Sequence, residues 1–180
     1  MIKDKQKKLE TGIEIKQDIL EKVVNTAYLS IGSNLGDRII NIEKTKNLIL
    51  FYKMNILKSS SFYETPSWPN TKFPKYLNIV LKINTDLSLA NLFLNLKNIE
   101  KLIGRTPGPK NSPRVCDIDI IDYNKKNYSI KIKKDFLIVP HPRMSVRNFV
   151  LLPLFEICNH WKHPKTKQKI TELMSKLPLS

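Results

Sequence analysis

Residues 26–32 (TAYLSIG) form a short apolar run closed by Gly32-Ser33-Asn34 and Gly36-Asp37, residues of turns and helix starts, so the pattern predicts a strand followed by a helix. Apolar positions at Ile39, Ile40, Ile42, Leu48, Ile49 and Phe51 give that helix about four turns. Residues 55–64 (NILKSSSFYE) read as a second strand. It is stopped at Thr65-Pro66, because proline has no ladder donor and biases the residue before it away from helix. SWPNTKFPK reads as loop, and residues 76–84 (YLNIVLKIN) alternate in β-branched style, the clearest strand in the chain. Apolar residues at 89, 92, 93, 96, 99, 102 and 103 then predict a second helix, capped by Ser88 and ended by Gly104. RTPGPKNSPR carries three prolines and a glycine and reads as loop. VCDIDIID follows as a strand, NKKN as a hairpin turn and YSIKIK as its return. Residues 135–180 read as a loop, an apolar helix from about Ser145 and a short terminal helix.

Two strand-helix-strand units in succession predict an α+β chain with a ferredoxin-like βαββαβ core: an antiparallel sheet, both helices on one face, then a hairpin and C-terminal helices. The length of 180 residues suits one domain, placed at residues 26–180. Residues 1–25 carry six Lys and five acids with a narrow stripe of Ile15, Ile19 and Val23, and read as an N-terminal extension, helical or frayed. Hydrophobic content of 41% and charged content of 26% are globular values. No apolar stretch is long enough to span a membrane, the first ten residues lack a signal-peptide core, and Cys116 and Cys158 have no partners at zinc-ligand spacing. A reduced, cytoplasmic, monomeric protein is the expectation.

The net charge of +15 raises the possibility of a nucleic-acid partner. Of 31 basic residues only Arg38, Arg105, Arg114, Arg143 and Arg147 are arginines, and the lysines are scattered, so nucleic acid is not the expected partner. Four arginines fall between 105 and 147, where guanidinium forks suit an oligophosphate. Asp117 and Asp119, two apart on a strand, leave the same face. Paired hard carboxylates suit Mg²⁺, which fills its shell with water and substrate phosphates, so phosphoryl transfer is the natural reaction class. Tyr76 and Asn78 likewise share a face, offering a ring to stack on and an amide to read a flat heteroaromatic edge. Trp68 is a lid residue or an anchor. His141, between Pro140 and Pro142 and six residues before Arg147, has the reach for a phosphate. No Walker-type loop is present.

These motifs, in order from about Ala27 to Ile157, resemble the 6-hydroxymethyl-7,8-dihydropterin pyrophosphokinase family (2-amino-4-hydroxy-6-hydroxymethyldihydropteridine diphosphokinase) of folate biosynthesis. AYLSIGSNLGD is similar to its first strand and turn, SFYETP to its second strand and substrate loop, and KYLNIV to its pterin-facing strand. IEKLIGR, KNSPRVCDIDII and VPHPRMSVRNFVLLPL follow as its second helix end, signature and closing segment. The resemblance implies transfer of pyrophosphate from ATP by in-line attack on the β-phosphorus, with two Mg²⁺ held by Asp117 and Asp119. It implies catalytic roles for those aspartates, Arg105 and Arg114, and ATP binding by Glu100, Arg105, Lys110, Arg114, His141 and Arg147. The pterin is then held by Tyr76, Phe149, Asn78 and the backbone around Thr65 and Pro66. Against many members, the loop 106–112 lacks extra arginines and a tryptophan, and Ser112 replaces Gly or Ala. Two other readings remain open at this stage: a Mg²⁺-dependent phosphoryl or nucleotidyl transferase with another acceptor, and an RNA-binding ferredoxin-like module.

Overall fold

The computed structural model describes residues 24–67, 70–109, 111–133 and 135–177. The chain runs β1 (Asn25–Ser33), α1 (Arg38–Phe51), β2 (Asn55–Ser59), β3 (Tyr63–Thr65), β4 (Tyr76–Thr85), α2 (Leu89–Leu102), β5 (Asp117–Tyr123), β6 (Tyr128–Ile132), β7 (Asp135–Val139), a 3₁₀ turn (Met144–Val146), α3 (Asn148–Ile157) and α4 (Ile170–Met174). The main sheet is antiparallel in the order β2-β4-β1-β5, with β3 also paired to β4. This is the ferredoxin-like α+β plan, and its helices begin and end where the sequence marks them. Asp37 accepts a hydrogen bond from the Ile40 N–H at 2.9 Å to cap α1, and Ser88 accepts from the Asn91 N–H to cap α2. Gly104, at a φ of 103°, ends α2 in a conformation costly for residues with a Cβ.

Alternation along the strands sorts the two sheet faces. Ala27, Leu29, Ile31, Leu77, Ile79, Leu81, Ile83, Ile118 and Ile120 pack with Ile42 and Ile49 of α1 and Leu92, Leu96 and Ile99 of α2. Each fully buried aliphatic side chain contributes ~1.5–3 kcal/mol relative to exposure. Tyr28, Val80 and Ile121 face the other way, onto Val150, Leu151 and Leu154 of α3 and Ile170 and Leu173 of α4. A register shift between Tyr28 and Leu29 in the β1–β5 pairing returns Tyr123 to the first core and sets Asp122 opposite Tyr28 on the same face as Ile121. Asp122 is buried beside it, where its carboxylate accepts from the Trp161 indole N–H at 2.7 Å and the Lys125 N–H at 2.8 Å. α3 and α4 cover only one end of this second face. The other end, at the C-terminal end of β1, is left for a cavity.

Four sequence expectations are corrected. The return strand after β5 does not form a hairpin with it. Asn124 and Lys125 do make the turn, both at positive φ, but Asn124 is tied to β1 through Thr26, backbone and side chain. β6 pairs with β7, a strand in residues expected to be loop. The cause is side-chain matching: Tyr128 and Ile130 meet Val139 and Leu137 across the ladder and form an apolar face against the main core, with the Tyr128 ring edge-on to Tyr123. The single strand expected at 55–64 is two, because one extra residue between Ser59 and Tyr63 kinks the edge. Ser60 donates its N–H to Val80 and accepts from the Val80 N–H through its hydroxyl. Ser33, expected in a turn, belongs to β1, and β1 begins at Asn25 within the stretch read as extension. Residues 1–23, including Ile15, Ile19 and Val23, lie outside the described residues.

Candidate active site

Period-two alternation and the antiparallel register bring the two candidate pairs into one place. Gly32 of β1 is opposite Asn78 of β4 on one side and Asp117 of β5 on the other, and Ser30 is opposite Asp119. Tyr76, Asn78, Ser30, Gly32, Asp117 and Asp119 therefore share one sheet face across three adjacent strands. They line a cavity of about 870 Å³ together with Thr65, Pro66, Arg105, Arg114, His141, Arg147 and Phe149.

The carboxylates sit among guanidinium groups. Asp117 Oδ1 accepts from Arg105 at 2.8 Å and from Arg114 at 3.2 Å, and Asp119 Oδ2 accepts from Arg147 at 3.1 Å. Arg147 also lies 5.4 Å from the centre of the Phe149 ring. His141 Nε2 is 3.8 Å from Asp119 Oδ2. Burial, reinforced by Arg147 and Arg143 and opposed by Asp119, lowers the His141 pKa from its ordinary value, so the ring is neutral at neutral pH. Burial likewise raises the Tyr76 phenol, against the pull of Arg114, and keeps it a protonated donor. Among the described residues, five cationic side chains, Lys97, Arg105, Arg114, Arg143 and Arg147, face this space against two carboxylates, an excess that favours a polyanion.

Glu100 does not line the cavity. It is 2% exposed and lies behind the wall, where its carboxylate accepts from Arg105, from Lys97 at 3.0 Å and from the Ile118 N–H at 2.7 Å. Burial raises its pKa, and Lys97, Arg105 and the Ile118 N–H oppose that rise. Glu100 therefore joins the end of α2 to β5 and holds Arg105. Arg105 in turn is raised above its ordinary value: burial pulls it down, but Glu100 and Asp117 outweigh that pull.

The loop after Gly104 borders the cavity through Gly108, Pro109 and Asn111, and Lys110 lies outside the described residues, as does Trp68. The sequence missed Gly32, Ser30, Lys97 and the buried Asn34. A glycine inside a strand run was the available signal for Gly32. A Cβ there would meet Asn78 Oδ1 at 2.9 Å and the Tyr76 ring at 3.3 Å. Asn34 fastens the first turn to the Arg114 backbone in both directions and donates to the Pro74 carbonyl at 3.1 Å. No spacing in the sequence announces those links.

Two carboxylates fit a hard divalent cation. Asp117 Oδ2 and Asp119 Oδ1 accept no hydrogen bond among the described residues, which leaves an oxygen of each for Mg²⁺. Among the described residues no three His, Cys, Asp or Glu gather to form a full protein ligand set. Water and substrate phosphates complete a Mg²⁺ shell in such sites.

Fold and cavity together define an α+β protein of ferredoxin-like plan, its cavity on the part of the sheet that the C-terminal helices leave open. The chain matches the 7,8-dihydro-6-hydroxymethylpterin-pyrophosphokinase family over residues 28–159 and belongs to that family. It is 38% identical over 135 residues to the 2-amino-4-hydroxy-6-hydroxymethyldihydropteridine pyrophosphokinase of Bacillus subtilis, covering 74% of this chain and 78% of that one. It is also 38% identical over 155 residues to the folic acid synthesis protein of Dictyostelium discoideum, covering 86% of this chain. The chain spans 23% of that longer protein's length. A Plasmodium falciparum HPPK-DHPS crystal structure with pteroate has the same fold, with a TM-score of 0.68 at 15% identity, covering 87% of this chain and 44% of that one.

Proposed function

We propose that this chain transfers the pyrophosphoryl group of ATP to the hydroxymethyl oxygen of 6-hydroxymethyl-7,8-dihydropterin, releasing AMP, in folate synthesis. One observation carries the reading: the cation-flanked carboxylates of β5 and the Tyr76–Asn78 pair of β4 open into one cavity, separated only by the bare Cα of Gly32. A phosphate chain and a flat ring then lie side by side in that cavity. Tyr76 and Phe149 stack on the pterin, and Asn78 with the backbone at Thr65 and Pro66 reads its polar edge. Arg105, Arg114 and Arg147 bind ATP phosphates as forks, His141 donates as a neutral ring, and Lys110 adds charge from its loop. Asp117 and Asp119 hold two Mg²⁺, which supply charge neutralisation on the phosphates when bound. The hydroxymethyl oxygen forms its bond to the β-phosphorus as the bridge to the α-phosphate breaks and the hydroxyl proton is lost. Positioning and charge stabilisation supply the rate. Glu100 acts through Arg105 rather than by touching the nucleotide.

The reading carries with it a monomer in the cytoplasm, with residues 1–23 as an extension to the domain. Free, buried thiols at Cys116 and Cys158 support a reducing compartment. Among the described residues no helix is long and apolar enough to cross a membrane. The test is incubation with ATP, Mg²⁺ and 6-hydroxymethyl-7,8-dihydropterin, with chromatography of the nucleotides. AMP that appears only with pterin is the expected result. ADP in its place, or no pterin dependence, overturns the reading.

A further inference from the structure

Ser67 ends the described part of the loop that leaves β3, and it lines the cavity beside Thr65 and Pro66. The residue is 1% exposed, and its hydroxyl is the one buried side-chain polar atom among the described residues that has no hydrogen-bond partner. A buried hydroxyl left in that state costs free energy on the scale of a lost hydrogen bond, and a ligand seated against it restores the bond. Pro66 has no N–H. The Thr65 hydroxyl accepts from Asn78, whose Nδ2 donates to Thr65 Oγ1 at 3.0 Å and to the Tyr63 carbonyl at 3.4 Å, and it keeps its own proton.

That carbonyl can only accept, so the amide of Asn78 is oriented with Oδ1 toward Gly32, where no donor from the described residues meets it. A ligand edge here must bring an N–H for Asn78 Oδ1 and an acceptor for a hydroxyl nearby. The cyclic amide edge of a pterin carries both.

We infer that Ser67 is a specificity-determining residue, its hydroxyl donating to an acceptor atom on the same pterin edge whose ring N–H is taken by Asn78. The inference rests on the pterin reading of the cavity. It predicts an unusual combination in Ser67→Ala: because the hydroxyl has no partner among the described residues, its removal leaves the melting temperature unchanged or raises it. The KM for 6-hydroxymethyl-7,8-dihydropterin rises about five- to tenfold, while kcat and the KM for ATP stay within about twofold, as befits loss of uniform binding. The melting shift induced by the dihydropterin shrinks in parallel. Equal dihydropterin affinity in the variant and the unaltered protein overturns the inference alone. So does a lowered melting temperature with matched losses for both substrates, which marks a structural role. An unaltered protein that binds no dihydropterin by calorimetry overturns the pterin reading together with this inference.

Discussion

At the scale of single residues the site depends on charges that need each other and on one side chain that is missing. Without a cation between them, Asp117 and Asp119 repel, and in this structure guanidinium groups hold one oxygen of each. Asp117→Ala or Asp119→Ala should lower turnover by at least ~10²–10³-fold with the circular dichroism spectrum intact, read in the AMP assay across a Mg²⁺ titration. A rate near that of the unaltered protein would remove that aspartate from the site. Gly32 matters for what it lacks. In Gly32→Ala the added methyl would stand 2.9 Å from Asn78 Oδ1, closer than van der Waals contact allows, and press on the Tyr76 ring. Dihydropterin affinity should fall roughly tenfold or more, ~1.4 kcal/mol, with ATP affinity little changed in calorimetry. Equal losses for both ligands would show a general collapse of the cavity floor.

At the scale of elements, the second core decides how α3 and α4 sit on the sheet, and so how much of the face is left open. Trp161, 2% exposed, donates to Asp122 across that core. Trp161→Phe leaves Asp122 Oδ2 without its donor and should cost about 1–3 kcal/mol beyond the packing change, measured by urea unfolding. Burial also raises the Asp122 pKa above its ordinary 3.8, with the Trp161 and Lys125 N–H groups opposing the rise. Between 3.8 and the raised folded value the folded chain thus holds a proton that the unfolded chain has released. The contribution of this group to stability is present below 3.8 and is lost as pH rises through the folded value. Asp122→Asn should therefore flatten the fall in unfolding free energy just above that point. An unchanged slope would mean that other groups carry it. The helices and most strands were legible because caps, stops and period-two alternation are local signals. The β6–β7 pairing was not, because two short strands choose partners by matching apolar faces, and NKKN makes a turn whichever partner follows.

At the scale of the molecule, the uneven placement of arginine and lysine was the most informative charge pattern. Of five arginines, Arg105, Arg114, Arg143 and Arg147 all line the cavity, while Arg38 pairs with Glu64 beyond it. The first strand starts at Asn25, whose side chain donates to the Leu87 carbonyl and accepts from Asn124. Removing residues 1–23 stops short of these bonds and should leave pterin-dependent AMP formation within about twofold, whereas cutting through Asn25 should also lower stability by roughly 1 kcal/mol per lost hydrogen bond. A large loss of activity on removing 1–23 would make the segment part of the working domain.

The sequence by itself determined the ferredoxin-like plan and the two pairs, Tyr76 with Asn78 and Asp117 with Asp119, since a spacing of two on a strand forces a shared face. Only the tertiary structure decided that the two pairs open into the same cavity. That depends on strand register, where a slip of one residue turns every side chain to the other side, and register follows from which apolar faces must be buried together. The same holds for Glu100 behind Arg105, for Asn34 fastened to Arg114 and for the unpartnered hydroxyl of Ser67. Glu100 is met by the Ile118 N–H and Asn34 by Arg114, groups distant in the chain, and the burial of Ser67 likewise depends on the fold, so none carries a signal until the sheet brings them together.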